Sequence, residues 1–128
     1  LFAQEQQDPL VLVAETDEQL VGFTWGYRLP IEKFQFLEGR IGTNANYMDE
    51  IAVRAGTRLR GTGTTLGLEY LRAVRKQGLA EIVLRTDKRN DASVGLFRKL
   101  GFVPIGETDT ALVDPEFPNR IYFRRDSQ

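Results

Sequence analysis

The sequence predicts a mixed α/β sheet with helices packed on it. Two observations carry this: strand-length apolar runs and two helical stripes follow one another as β-β-β-α-β-α-β-β, and glycines or turn residues mark the junctions. The 128 residues (1–128) read as a single domain, long enough to bury a core without disulfides or metal.

The elements follow in order. "LFAQEQQDP" (1–9) holds helix formers and stops at Asp8-Pro9, so it reads as the tail of a helix. "LVLVAE" (10–15) and "LVGFTWGY" (20–27) are strands joined by the turn "TDEQ", a hairpin. Residues 28–46, with Pro30, Gly39, Gly42 and two asparagines, form the longest irregular stretch, of the length that is usually functional or disordered. "YMDEIAV" (47–53) reads as a strand buried on both faces at its end. From Gly63 to Gln77, Leu66, Tyr70, Leu71 and Val74 fall on one helix face. Arg72, Arg75 and Lys76 lie off that face, near the C-terminal end that favours cations, and Gly78 is a natural stop. "AEIVLRT" (80–86) is the next strand. Asn90 or Asp91 caps a short helix with Val94, Phe97 and Leu100 on its inner stripe and Gly101 at its end. "FVPIGE" and "NRIYFRR" close the sheet around the loop "VDPEFPN".

Composition excludes several chemistries. There is no cysteine and no histidine, so Cys/His zinc sites, Ser-His-Asp triads and thiol nucleophiles are ruled out, and no metal is expected. A cysteine-free chain suits the cytoplasm. No apolar run approaches the roughly 20 residues of a membrane helix, so no membrane partner is expected. The net charge of −1 hides an asymmetry: residues 54–99 carry eleven Lys/Arg against four Asp/Glu, while the remainder is acidic. A polyanion would prefer the middle segment and a cationic substrate the remainder. Nucleic acid is disfavoured by the acidic balance, with a pI near 5.5.

The stretch "RLRGTGTT" (58–65) stands between a strand and a helix, a phosphate-binding arrangement in which backbone N–H groups and the helix start face an anion. It is not a P-loop, because Gly67 is followed by Leu68 rather than lysine, and not a dinucleotide fingerprint, because Leu66 stands where the third glycine belongs. A tight turn without a ligand is the plain alternative. A third pattern fits: Arg58-Leu59-Arg60-Gly61-Thr62-Gly63 matches [QR]-x-x-G-x-[GA], which resembles the acyl-CoA signature of the GNAT superfamily of N-acetyltransferases. "NDASVGLFRKLGF" (90–102) resembles that family's later motif through Asn90, Ser93, Leu96, Phe97, Lys99, Gly101 and Phe102. The hairpin and "YMDEIAV" resemble its early strands, so the likeness runs from about residue 10 to the end.

The resemblance implies a GNAT-like sheet whose fourth and fifth strands, 47–53 and 80–86 here, splay apart to admit acetyl-CoA. It implies that the pantetheine arm pairs along Ile51, Ala52 and Val53, and that the pyrophosphate rests on the N–H groups of Leu59, Arg60, Gly61, Thr62, Gly63 and Thr64. Arg58 and Arg60 would add charge there, and Arg98 or Lys99 would meet the adenosine phosphate. The reaction implied is direct acetyl transfer in a ternary complex to a primary amine on a small molecule or peptide. An amine near pKa 10 needs a base. Glu50 is the favoured one, with Asp49 on the opposite face unless a bulge alters the alternation.

Departures from the family pattern matter as much. Arg85 stands where some relatives place a glutamate, which removes one base. Phe97 stands where many relatives place an acidic tyrosine, and Tyr122 is the substitute acid. The family's N-terminal strand and helices are missing or shortened here, which leaves apolar strands for self-association as a homodimer. The competing reading is a non-catalytic acyl-CoA-binding module, and a third is a phosphate-ligand binder outside the family.

Overall fold

The computed structural model describes residues 7–37, 39–55, 61–105 and 118–128. Its six strands are β1 (Leu10–Thr16), β2 (Gln19–Arg28), β3 (Ala45–Val53), β4 (Glu81–Asp87), β5 (Val103–Ile105) and β6 (Arg120–Asp126), in the sheet order β1-β2-β3-β4-β6-β5. Helices α1 (Thr62–Lys76) and α2 (Asp91–Lys99) follow β3 and β4. Neighbours are antiparallel except β3 and β4, which run parallel. The element order is the one the sequence predicts. Of the helix tail expected over residues 1–9, residues 1–6 lie outside the described residues and Gln7, Asp8 and Pro9 are not helical; most of the loop before β6 also lies outside the described residues. Among the described residues no helix is long and apolar enough to cross a membrane, and no cluster of His, Cys, Asp and Glu is placed to hold a metal ion.

Period-2 alternation in the strands sends side chains to two differently covered faces. On one, Tyr70, Leu71 and Val74 of α1 and Phe97 and Leu100 of α2 pack on Met48, Ile82, Leu84, Ile121 and Phe123, while Leu66 of α1 is buried beside Gly22 of β2. On the other, Tyr27, Tyr47, Val83 and Tyr122 are covered by Leu29 and Leu37. The stretch read as irregular supplies that cover: it contains two 3-10 turns, Ile31–Lys33 and Gln35–Leu37, and Leu37 is fully buried. Toward β1 the cover ends, and Val11 and Val13 stand more than half exposed.

β3 departs from the sequence expectation. It is buried at its start, Ala45 to Met48, and opens to solvent from Asp49 onward, with Val53 40% exposed. The reason is its pairing with β4, which covers three rungs only: Ala45↔Glu81, Asn46↔Ile82 and Tyr47↔Val83. Beyond them the strands part.

The two helices approach closely through glycine. A Cβ on Gly67 would collide with Leu100 Cδ1, and Leu100 is buried. Gly67→Ala is therefore expected to cost about 1–3 kcal/mol through overpacking. In a Leu100→Ala background the same change should cost almost nothing, and chemical denaturation of the four proteins of this cycle checks it.

Candidate functional site

The site begins where β3 leaves β4. Because the two are parallel, their C-terminal ends share one edge of the sheet, and a helix starts just beyond each. Gly61 is the N-cap of α1 at φ +81°, a left-handed conformation that costs an L side chain about 1–2 kcal/mol. A Cβ there would meet nothing within 4 Å, so conformation rather than space demands glycine. The first helical bond runs from Thr65 N–H to the Gly61 carbonyl (2.8 Å), which leaves Thr62, Gly63 and Thr64 in the turn whose N–H groups have no acceptor within the helix. That turn contains no acidic residue, so no side-chain carboxylate within it offsets the positive end of the helix dipole.

Gly63, two residues on, lies beside the second helix. A Cβ on it would lie 3.4 Å from Leu96 and 3.7 Å from Val53, at the junction of α1, α2 and the end of β3. Arg58, Leu59 and Arg60 lie outside the described residues. At the second helix start the structure decides for Asn90 over Asp91: its Oδ1 accepts from Ser93 N–H at 3.0 Å. Phe97 is a core residue, 6.0 Å from Phe102 and 6.2 Å from Phe123 between ring centroids. Arg98 lies over the Phe123 ring at 5.8 Å, and Lys99 is exposed.

Ile51, Ala52 and Val53 pair with Thr24, Phe23 and Gly22 of β2, so their opposite backbone edge fronts the gap. A bulge precedes them. Trp25 pairs with Glu50 but Gly26 with Met48, so Asp49 is the extra residue. Gly26 permits the bend, since a Cβ there would collide with the Tyr70 hydroxyl and the Tyr47 carbonyl. The Tyr70 hydroxyl instead reaches Asn46 Oδ1 at 2.6 Å.

The bulge alters the alternation, the one condition under which Asp49 would not face away from Glu50. Glu50 lies opposite Trp25, and Asp49 Oδ2 accepts from the Tyr27 hydroxyl at 2.7 Å. Both carboxylates thus stand on the face away from the helices. Glu50's own carbonyl accepts from buried Thr24 (2.9 Å), which pins the backbone beneath it.

That face carries a row of rings the sequence gives no direct sign of. Trp25, Tyr27 and Tyr47 contact one another in turn at 5.4 and 5.9 Å, Phe34 follows at 5.1 Å from Tyr47, and Phe36 stands 5.1 Å from Tyr122. The signal available was the alternation Trp25, Tyr27 on one strand and Tyr47, Asp49 on the next. Burial pushes the Tyr47 hydroxyl up to about 12 against the pull of Arg85, and burial, then Asp49, raises Tyr27. At neutral pH both are therefore hydrogen-bond donors rather than bases.

Tyr122 is the direct cross-strand partner of Arg85. It belongs to the face opposite Phe97, so it does not restore a hydroxyl at Phe97's position. Burial opposes the Arg85 charge, but Tyr47, Tyr122 and Asp49 outweigh it and raise its pKa. Beyond Arg85 a pocket of about 350 Å³ is lined by Arg85, Thr86, Asp87, Arg89, Pro118, Asn119 and Arg120.

A parallel strand pair that opens toward two helix starts, with carboxylates and aromatics on one face, defines an α/β domain with a gap inside its sheet. Comparison with known proteins identifies the family. The family model described as Acetyltransferase (GNAT) family matches residues 1–102, and the chain belongs to this family. A mycothiol acetyltransferase of Streptomyces avermitilis is 34% identical over 100 residues, which is 76% of this chain but only 28% of that protein. The structure of PaiA N-acetyltransferase from Thermoplasma acidophilum in complex with coenzyme A superposes with a TM-score of 0.70 at 20% identity, over 97% of this chain and 64% of that one. A Bacillus anthracis protein described as a streptothricin acetyltransferase, in complex with acetyl coenzyme A, gives 0.71 at 20% identity over 97% and 66%. At those identities the two structures establish the shared fold.

The turn beside the pocket titrates predictably. Arg89 holds the Asp87 carboxyl down at about 2, through its side chain (2.7 Å) and its backbone N–H (2.8 Å). A depressed carboxyl contributes fully above its unfolded value of about 3.9 and is lost as pH falls toward about 2. Carboxyl-detected NMR should show the Asp87 midpoint near 2, with the Arg89 N–H signals losing protection in the same window. Asp87→Asn should abolish the transition.

Proposed function

We propose that this domain transfers an acetyl group from acetyl-CoA to a primary amine, by direct attack within a ternary complex. The observation that carries the proposal is the gap itself. β3 from Met48 and β4 from Leu84 lose each other as partners, and the α1 N-terminus stands at the opening. The gap fits an extended ligand with amide groups and a phosphate end: the unpaired edge of β3 accepts the amides as another strand would, and the first turn of α1 receives the anion. The relatives bound to coenzyme A and acetyl coenzyme A support that ligand.

The ligand supplies an acetyl thioester, and the chain's residues do the rest. The amine approaches from the aromatic face, where Asp49 and Glu50 sit. Its lone pair forms the new C–N bond as the C–S bond breaks, and the surplus proton passes to a carboxylate, directly or through water. Asp49 already accepts from Tyr27, whereas Glu50 has no side-chain hydrogen bond or ion pair among the described residues, so Glu50 takes the proton. The leaving sulfur needs no side-chain acid, because a thiol near pKa 8.5 departs readily as thiolate. The absence of cysteine excludes a thiol acyl-enzyme.

Calorimetric titration with acetyl-CoA and a thiol-release assay over a panel of amines test this reading. Binding without turnover of any amine would instead favour a non-catalytic binder. Gly61→Ala should weaken acetyl-CoA binding at least tenfold while costing about 1–2 kcal/mol of stability; unchanged affinity would remove this turn from the site. Glu50→Gln should lower kcat about a hundredfold at neutral pH with acetyl-CoA affinity intact. Asp49→Asn should do less, and the reverse order would make Asp49 the base.

A further inference from the structure

Arg85 reverses the charge that the family resemblance implies at its position, and the structure gives that reversal a geometry. Tyr47↔Val83 is the last rung between β3 and β4. Asp49 is two residues beyond it on one strand and Arg85 two residues beyond it on the other. Two residues of strand advance about 7 Å, so an acidic and a basic group flank the gap shortly after it opens. Each has a tyrosine on its own side: Tyr27 donates to Asp49 at 2.7 Å, and Tyr122 stands cross-strand from Arg85. Glu50 adds a second carboxylate to the β3 wall, beside Trp25. The β4 wall continues into the pocket of about 350 Å³ with Arg89 and Arg120, where Asp87 is paired to Arg89. Arg85 itself is exposed, so its guanidinium is accessible to a ligand.

We propose that the acceptor is a small amine carrying a carboxylate a few bonds from its nitrogen. Its ammonium end enters beside Asp49, Glu50 and Trp25, and its carboxylate docks on the Arg85 guanidinium, with the remainder in the adjoining pocket. The inference rests on the acetyltransferase reading above and specifies its substrate. A guanidinium fork matches a carboxylate in bidentate geometry. A simple diamine or polyamine would bring a second cation against Arg85. A phosphate dianion would meet Asp49, Glu50 and Asp87 on the same face, which disfavours it relative to a single negative charge.

The experiment uses matched sets: α- and β-amino acids, the corresponding amides, and the corresponding aminophosphonates. Each is measured twice, by thiol release with acetyl-CoA and by NMR titration of the Trp25 indole without it. The wild-type protein should prefer each bound acid over its amide by at least tenfold in both readouts. Arg85→Gln should collapse that ratio toward one, and Arg85→Lys should keep part of it. Absence of any acid-over-amide preference, a ratio that survives Arg85→Gln, or an Arg85-dependent preference for the phosphonates would each overturn the proposal. Turnover absent for every amine, with Arg85-dependent binding of the acids retained, would sink the transferase reading and leave the carboxylate site standing.

Discussion

The parting of β3 and β4 after three rungs is the constraint on which the other features of the site depend. A parallel pair that stayed in register would fill its own hydrogen bonds and leave no room between strands. Here the pairing ends at Tyr47↔Val83, and two residues later β3 bulges at Asp49. A bulge bends and twists its strand, and this one is accommodated by the glycine opposite, Gly26, against which the Tyr70 hydroxyl lies. Tyr70 in turn anchors α1 to Asn46 on the last paired stretch of β3. The same few residues therefore end the ladder, turn two carboxylates to one face, and fix the helix whose start stands at the gap's mouth.

The two faces of the sheet divide the work. The helix face is apolar and tightly packed, with Gly67 bringing α1 against Leu100 of α2. Its polar contribution is confined to the helix starts, where Gly61 supplies the backbone turn and Asn90 the cap. The other face is aromatic and charged. The Tyr27 hydroxyl holds Asp49 and Tyr122 stands cross-strand from Arg85, so opposite charges flank the gap, each beside a tyrosine. Such a face suits a ligand that is itself charged at both ends, because each end replaces water at a group already oriented for it.

Much of this was legible in the chain. Strand and helix periods gave the order of all eight elements, since Leu66, Tyr70, Leu71 and Val74 can share a face only in a helix and the hairpin runs can bury alternate residues only in strands. The spacing of Gly61 from Arg58 and Gly63, with the later motif from Asn90 to Phe102, pointed to the family that the comparisons establish. Other features were not legible. Period-2 reasoning placed Asp49 away from Glu50, because a bulge depends on which residue of the neighbouring strand lies opposite, and that is a pairing fact. Sequence shows the missing Cβ of Gly67 but not the Leu100 side chain that lies against it.

Local sequence alone determined which segments are strands and which are helices, and the absence of thiol and imidazole chemistry, because each depends only on nearby residues or on composition. Only the tertiary structure decided how far β3 and β4 stay paired, which face receives each carboxylate, and that Tyr122 serves Arg85 rather than the layer of Phe97. These depend on register between strands distant in the chain. A shift of one residue in register exchanges the two faces, and no local pattern carries that information.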